Sequence, residues 1–200
     1  LWGVPLRLRA GRQELVFGSG WLVGDNSALP ESTGLSFDGI RLTYSADPVT
    51  VDAFWAKLAE RGPIEEDGDT DFAGVYATCR AVQDWSFDLY WLWLPDAAAR
   101  KDTLSAPFNE WLEDLIGLDD YAVTNLHTAG IRAAGAWGGF DLEAEAAYQF
   151  GDASAIGALF RPYVYGDDKA DFSEWAGHAE LGYTFDVQWH PRVWLGAAYY

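Results

Sequence analysis

Several features common in folded proteins are absent from this sequence or scarce in it. The 200 residues include no methionine and one cysteine, Cys79, so a disulfide within the chain is excluded. No apolar run reaches about 18 residues, which predicts that no helix crosses a membrane. The chain opens on Leu1-Trp2-Gly3, without the basic and apolar regions of a signal peptide, and stops inside a predicted strand. We therefore expect a fragment of a longer protein.

Positive charge is also scarce. The 13 Lys and Arg residues face 31 Asp and Glu residues, for a net charge of −18. This balance argues against a nucleic-acid partner, because the phosphate backbone attracts basic surfaces. Patterns of the common enzyme classes are missing too, since there is no glycine-rich phosphate loop, catalytic triad or zinc-ligand spacing. The sequence therefore predicts no enzyme, no metal ligands and no cofactor.

What the sequence has in abundance is alternation. From Phe140 to Phe150, apolar residues alternate with mostly polar ones that include Asp141, Glu143 and Glu145. In a strand, alternate side chains point to opposite faces, so this segment has one apolar and one acidic face. The apolar face begins and ends in aromatic residues. This pattern is typical of a transmembrane β-strand, with rings at both water interfaces and a polar side facing a lumen.

Eight further segments alternate in the same way. The predicted strands are Val4–Gln13, Phe37–Ser45, Val49–Leu58, Phe72–Arg80, Trp85–Trp93, Leu126–Trp137, Phe140–Phe150, Ser173–Phe185 and Arg192–Tyr200. Long loops follow the first, third, fifth and seventh strands, and short turns follow the others. Antiparallel strands then place all long loops at one end, as in outer-membrane barrels with short periplasmic turns and long external loops. Bacterial single-chain barrels have even strand counts, so nine strands predict an incomplete barrel.

Two details of the pattern give separate predictions. In the first strand, alternation puts Arg12 on the apolar side, and a bulge at Gly11 would turn it inward. The stretch that follows this strand is interpreted as a long polar loop up to about Ser36. In the longest loop, the apolar residues of Phe108–Ile116 have helical spacing, which predicts a short amphipathic helix folded over or into the structure.

Three stretches of the chain resemble the alginate-export family of outer-membrane barrels. They are Leu6–Leu15, the strand pair from His127 to Gly151, and His178–Phe185. The resemblance spans most of the chain and implies roughly the N-terminal half of a larger barrel in the bacterial outer membrane. It also implies passive passage of an anionic polysaccharide, alginate in the best-known members, through an arginine-lined lumen. Outer-membrane lipid and periplasmic export machinery are the further partners that it implies.

The polar face of the predicted sheet supplies the candidate functional residues. Rings of arginine occur in anion-selective channels, and six arginines from five strands fall on this face. The predicted pore-lining residues are Arg7, Arg9, Arg41, Arg80, Arg132, Asp141, Glu143, Glu145, His178, Glu180 and Arg192. The alternative is that the arginines pair with acids on the same face, such as Asp52 and Asp88, and neutralise the lumen. Both can hold, because opposed charges can set the pore field and also rigidify the wall.

Together these observations predict an all-β protein, an antiparallel up-and-down transmembrane β-barrel present as one partial domain over residues 1–200. The predicted function is an outer-membrane channel for an anionic polysaccharide, oligosaccharide or small anionic solute. Two alternatives stay open. A soluble or surface β-sheet protein could use its aromatic faces as a core or a carbohydrate platform. An enzyme acting on polysaccharide would need Glu143 and Glu145 as a catalytic pair, although they lie side by side on one strand face.

Overall fold

A computed structural model of the chain describes residues 5–24, 36–59, 70–96, 124–154 and 169–200. In these ranges the protein is all-β, and nine antiparallel strands follow one another in chain order in a single sheet. The strands are β1 (Leu6–Gln13), β2 (Phe37–Ala46), β3 (Val49–Ala59), β4 (Thr70–Cys79), β5 (Trp85–Asp96), β6 (Thr124–Trp137), β7 (Phe140–Ser154), β8 (Lys169–Thr184) and β9 (Arg192–Tyr199). The predicted all-β, up-and-down sheet is confirmed. Since β1 and β9 are not paired with each other, the sheet is consistent with part of a barrel.

The connections differ at the two ends of the sheet. At one end, which we call the turn end, the strands are joined by short links at residues 47–48, 80–84, 138–139 and 185–191. At the other end, the loop end, the strands are separated by residues 14–36, 60–69, 97–123 and 155–168. Gly138 and Gly139 both have positive φ, at 55° and 87°, as a two-residue hairpin of the predicted kind requires. The predicted helix at Phe108–Ile116 lies outside the described residues.

Most predicted strand bounds agree with the structure to within a few residues, but three strands extend further toward the loop end. β5 continues to Asp96, β7 to Ser154, and β8 begins at Lys169. The predicted end of the seventh strand at Phe150 is wrong. Gly151 has a φ of 140°, and a side chain there would collide with the backbone carbonyl of Asn125 in β6. Glycine thus lets β7 continue against β6 instead of ending it. No helix in the described ranges is long and apolar enough to span a membrane.

The two faces of the sheet have opposite chemistry. Residues directly opposite each other in antiparallel strands share a face, so the register follows each face across all nine strands. The apolar face has a middle zone of exposed aliphatic side chains, including Leu89 and Ile131 at 63% and 61% exposure. Aromatic side chains cross this face near both ends of the strands. They are Trp85, Trp137, Phe140, Tyr183 and Phe185 at the turn end, and Trp91, Trp93, Phe150, Tyr148 and Trp175 at the loop end.

The predicted bulge at Gly11 is absent. β1 and β2 stay in register, with Arg12 directly opposite Asp38, so the Arg12 side chain lies on the apolar face. Its Nη2 atom is 2.7 Å from Asp38 Oδ2, and neighbouring Lys57 Nζ is 3.4 Å from Asp71 Oδ1. All four residues lie near the loop end of their strands. Arg12 needs no bulge, because a carboxylate neutralises it at the edge of the apolar zone.

The buried core of the described residues lies on the polar face. It forms where residues 14–24, which we call the inner segment, fold back over β2 to β5. Leu15 is 1% exposed, and Phe17 and Val23 are also buried. They pack with buried wall residues, namely Phe37, Phe54, Ala56, Tyr76, Tyr90 and Leu92. Burial of a side chain such as Leu15 contributes about 1.5–3 kcal/mol. The interpretation of this stretch as a polar loop is therefore wrong for residues 14–24.

Contacts of the inner segment show that the polar face is concave. The Arg41 guanidinium of β2 lies over the Phe17 ring, and the Trp21 ring lies 4.8 Å from that of His178 in β8. In a flat sheet, β2 and β8 would be roughly 29 Å apart at ~4.8 Å per strand. Residues 17–23 turn back on themselves, since Phe17 N–H donates to the Val23 carbonyl and Gly20 N–H donates to the Phe17 carbonyl, so Trp21 stays close to Phe17 and does not cross that distance. The sheet therefore curves around the inner segment, with the apolar face outside.

Candidate functional site

The strand register puts ten of the eleven sequence-predicted site residues on the polar, concave face, and the eleventh, Arg80, directly follows β4. They come from β1 (Arg7, Arg9), β2 (Arg41), the start of the turn after β4 (Arg80), β6 (Arg132), β7 (Asp141, Glu143, Glu145), β8 (Glu180, His178) and β9 (Arg192). Alternation alone explains this placement, because each of the ten occupies a strand position whose side chain points to the polar face. Their surroundings divide them into three groups.

The first group is a cluster of arginines on β1 and β2. Arg9 lies directly opposite Arg41 across the strand pair, and Arg7 is two residues away on the same face. Arg41 is paired, since its Nε and Nη2 atoms donate to the two carboxylate oxygens of Asp52 at 2.8 and 2.9 Å. The Thr43 hydroxyl donates to the same carboxylate. Arg7 and Arg9 are exposed, and no acid of the described ranges lies within ion-pair distance of either.

The second group is a network centred on Arg132. Its Nη1 atom donates to Asp88 Oδ2 at 2.9 Å, and its Nε atom donates to Glu143 Oε1 at 3.1 Å. Glu145 Oε2 lies 4.0 Å from the same Nε. The network is largely removed from water, with the side chains of Asp88 and Glu145 only 2% and 5% exposed. Buried carboxylates need such partners, because an uncompensated charge at low dielectric is costly.

Two tyrosines complete this network. The Tyr76 hydroxyl donates to Asp88 at 2.9 Å, and the Tyr90 hydroxyl donates to Glu145 Oε1 at 2.8 Å. Their rings stack with centroids 5.3 Å apart and nearly parallel planes. The Tyr90 ring lies over Gly130 of β6, where a Cβ atom would collide with it. Glycine at 130 therefore makes room for the ring that carries the hydroxyl to Glu145.

The third group lies at the turn end. Arg192 Nη2 is 2.5 Å from Asp141 Oδ1 and 2.6 Å from Glu180 Oε1, so β9 is tied to β7 and β8 in an exposed ion-pair triad. Arg80 is exposed, and in the ranges that the structure describes it makes no ion pair. The triad itself, one arginine shared by two acids, has a net negative charge.

These groups bear on the two sequence-based interpretations of the arginines. Arg41, Arg132 and Arg192 form ion pairs with acids of the same face. Arg7, Arg9 and Arg80 form no ion pair with another described residue, although Arg7 is close enough to Asp52 for their charges to interact. The polar face is also electrically uneven. The β1–β2 side has three arginines around Asp52, while the β5–β8 side has Arg132 among Asp88, Glu143 and Glu145.

Sequence reasoning missed the aromatic members of the site. Phe17, Trp21, Tyr76 and Tyr90 were not among the predicted residues, yet all four contact its charged side chains or their immediate neighbours. A usable signal existed, because Tyr76 and Tyr90 occupy polar-face positions of otherwise regular strands. Spacing also missed a possible ligand set, since one ligand atom each from Glu143, Glu145 and His178 lie within 4.8 Å of one another. The other described residues form no such set.

The described sheet lies within a match to a known protein family. The family model described as Alginate export matches residues 1–199. This match covers every strand of the sheet and all three groups of polar-face residues. No curated protein matches the chain.

Proposed function

The chain belongs to the alginate export family, a family of outer-membrane export channels for polysaccharide and not of enzymes, and we propose that it forms a channel for passive passage of an anionic polysaccharide or oligosaccharide. In this proposal the polar face lines an aqueous lumen and the apolar face contacts lipid. The protein resides in the bacterial outer membrane. Residues 1–200 act as one domain, a partial barrel wall.

The observation that carries the proposal is the arginine cluster of β1 and β2. Arg7 and Arg9 present exposed guanidinium groups beside the paired Arg41, on the concave face. A guanidinium can donate two parallel hydrogen bonds to one carboxylate, and uronate sugars carry one carboxylate each. Exposed arginines bind such groups weakly in water, and weak, repeated contacts let a polymer move along a pore. The solute path therefore follows the β1–β2 wall.

The apolar face supports an orientation of the wall in which this face contacts lipid. Its middle zone exposes aliphatic side chains such as Leu89 and Ile131, and aromatic residues flank this zone on both sides. This distribution matches the lipid-facing band and aromatic girdles of outer-membrane barrels. A soluble carbohydrate-binding protein would leave this surface in water, at a cost of about 25 cal/mol for each Å². We place the long connections outside the cell and the short turns in the periplasm, where export machinery would dock.

The experiment that tests the proposal is single-channel recording of the full-length protein in a planar bilayer. We expect stepwise currents that an added uronate polymer blocks and that a neutral polymer of equal length, such as dextran, leaves unchanged. Extraction provides the companion measurement, because a membrane-embedded barrel requires detergent. A protein that stays in solution without detergent and forms no channels contradicts the proposal. Equal block by both polymers would contradict selection of anions.

A further inference from the structure

Glu143, Glu145 and His178 converge at one place on the polar face. Glu145 lies directly opposite His178 in the β7–β8 pair, and Glu143 is two residues along the same face of β7. One ligand atom from each lies within 4.8 Å of the other two. The inner segment covers the place, since the Trp21 ring packs edge-on against the His178 imidazole.

Two polar atoms at this place lack a hydrogen-bond partner. Glu145 Oε2 and His178 Nε2 are both buried, and neither makes a hydrogen bond with any described residue. They lie 3.7 Å apart, too far for a hydrogen bond between them. Glu145 as a whole is 7% exposed, so water cannot readily solvate its free oxygen. Buried polar atoms are nearly always satisfied, so this pair points to a missing partner.

The local charge balance identifies the kind of partner. Asp88, Glu143 and Glu145 contribute three negative charges, and the Arg132 guanidinium contributes one positive charge. The two hydroxyl groups of Tyr76 and Tyr90 satisfy carboxylate oxygens without neutralising them. The network therefore lacks two positive charges, and a divalent cation supplies them.

We propose that Glu143, Glu145 and His178 form a binding site for a divalent transition-metal cation, represented here by Zn²⁺. One imidazole nitrogen and two carboxylate oxygens are ligands that Zn²⁺ accepts at about 2.0–2.2 Å. The 3.7 Å between Glu145 Oε2 and His178 Nε2 can be bridged by one ion bound to both. Tyr90 orients Glu145 through its hydrogen bond to Oε1, which leaves Oε2 free for the metal.

Arg132 is the main competitor for the carboxylates, and its position limits this competition. Its guanidinium donates to Asp88 and to Glu143 Oε1, whereas Glu145 Oε2 lies 4.0 Å away, beyond hydrogen-bond distance. The bound ion would link β7 to β8 directly beneath Trp21. It would also neutralise the acidic side of the polar face and leave the arginines of β1 and β2 as the dominant charges.

The test uses titration calorimetry to measure Zn²⁺ binding by the tag-free, full-length protein in detergent. We expect one Zn²⁺ per chain, with binding lost in His178→Ala and in Glu145→Gln. The matched control is His190→Ala, which removes an imidazole from the turn after β8 and should leave the affinity unchanged. Tyr90→Phe removes only the orienting hydrogen bond, so we expect roughly tenfold weaker binding. No Zn²⁺ binding by the unmodified protein, or equal binding by His178→Ala, would overturn the proposal.

A second measurement needs no variant. Diethyl pyrocarbonate modifies free imidazole nitrogens, and mass spectrometry follows the rate at each histidine. We expect Zn²⁺ to slow modification of His178 and to leave His190 unaffected, whereas a measurable rate at His178 that Zn²⁺ leaves unchanged overturns the site. Neither measurement uses channel current, so their failure leaves the channel proposal standing.

Discussion

The ring of Phe17 stacks on the ring of Tyr76, with centroids 4.8 Å apart and planes 14° from parallel. Phe17 belongs to the inner segment and Tyr76 to the wall of β4, so this stack anchors the segment against the concave face. The Tyr76 hydroxyl in turn donates to Asp88 in the Arg132 network. Packing of the inner segment and order of the charged network are therefore linked through one side chain.

Removal of the Phe17 ring should widen the channel. Phe17→Ala deletes the stack with Tyr76 and the contact with Phe54, and truncation of a buried Phe costs about 3–5 kcal/mol. The inner segment should then leave the concave face for part of the time. We expect larger and noisier single-channel conductance. Val16→Ala is the control, because Val16 is adjacent and exposed. Identical conductance in all three proteins would show that the segment does not obstruct the lumen.

Two glycines with similar backbones separate the effect of steric contact from that of backbone strain. Gly18 and Gly138 have φ of 58° and 55°, so alanine strains the backbone at both positions. A Cβ at Gly18 would lie 2.7 Å from the Tyr76 hydroxyl and 2.9 Å from Arg132 Cδ, whereas a Cβ at Gly138 meets nothing within 4 Å. We expect Gly18→Ala to raise conductance and Gly138→Ala to leave it unchanged, both measured in planar bilayers. A rise in both variants would contradict the contact as the cause.

The Arg132 network should be important for stability. Arg132→Gln leaves the buried carboxylates of Asp88 and Glu145 without their cation, and such a loss costs about 3–5 kcal/mol. Arg192→Gln also breaks two ion pairs, but these are exposed, so we expect a much smaller effect. Guanidinium unfolding of the full-length protein in lipid vesicles measures both. Equal losses of unfolding free energy would mean that water reaches the Arg132 network freely.

The two faces could be predicted from the sequence because strand alternation is a local property. Once Asp141, Glu143 and Glu145 alternate with apolar residues, the register of any antiparallel partner keeps them on one face. The placement of Arg7, Arg41 and the other strand residues on the polar face follows in the same way. Alternation cannot show which groups touch. The pairing of Arg132 with Asp88, for example, depends on the register between β5 and β6.

The inner segment and Arg12 show where local reasoning failed. Leu15, Phe17 and Val23 occupy a stretch rich in glycine, which resembles a solvent-exposed loop until the concave wall that buries them is known. Arg12 was expected to need a bulge because its partner Asp38 is 26 residues away in the chain and becomes adjacent only in the folded sheet. Both errors arise from contacts between distant segments, which local patterns do not encode.

The most direct test of the channel account is the anion-to-cation permeability ratio of the full-length protein, measured from reversal potentials across a salt gradient. The unmodified protein should prefer anions. The double variant Arg7→Gln/Arg9→Gln should lose much of this preference, because it removes two exposed arginines of the concave face that form no ion pair with another described residue. Arg12→Gln changes the charge on the apolar face and should leave the ratio unchanged. A cation preference in the unmodified protein, or the same ratio in the double variant, would contradict the account.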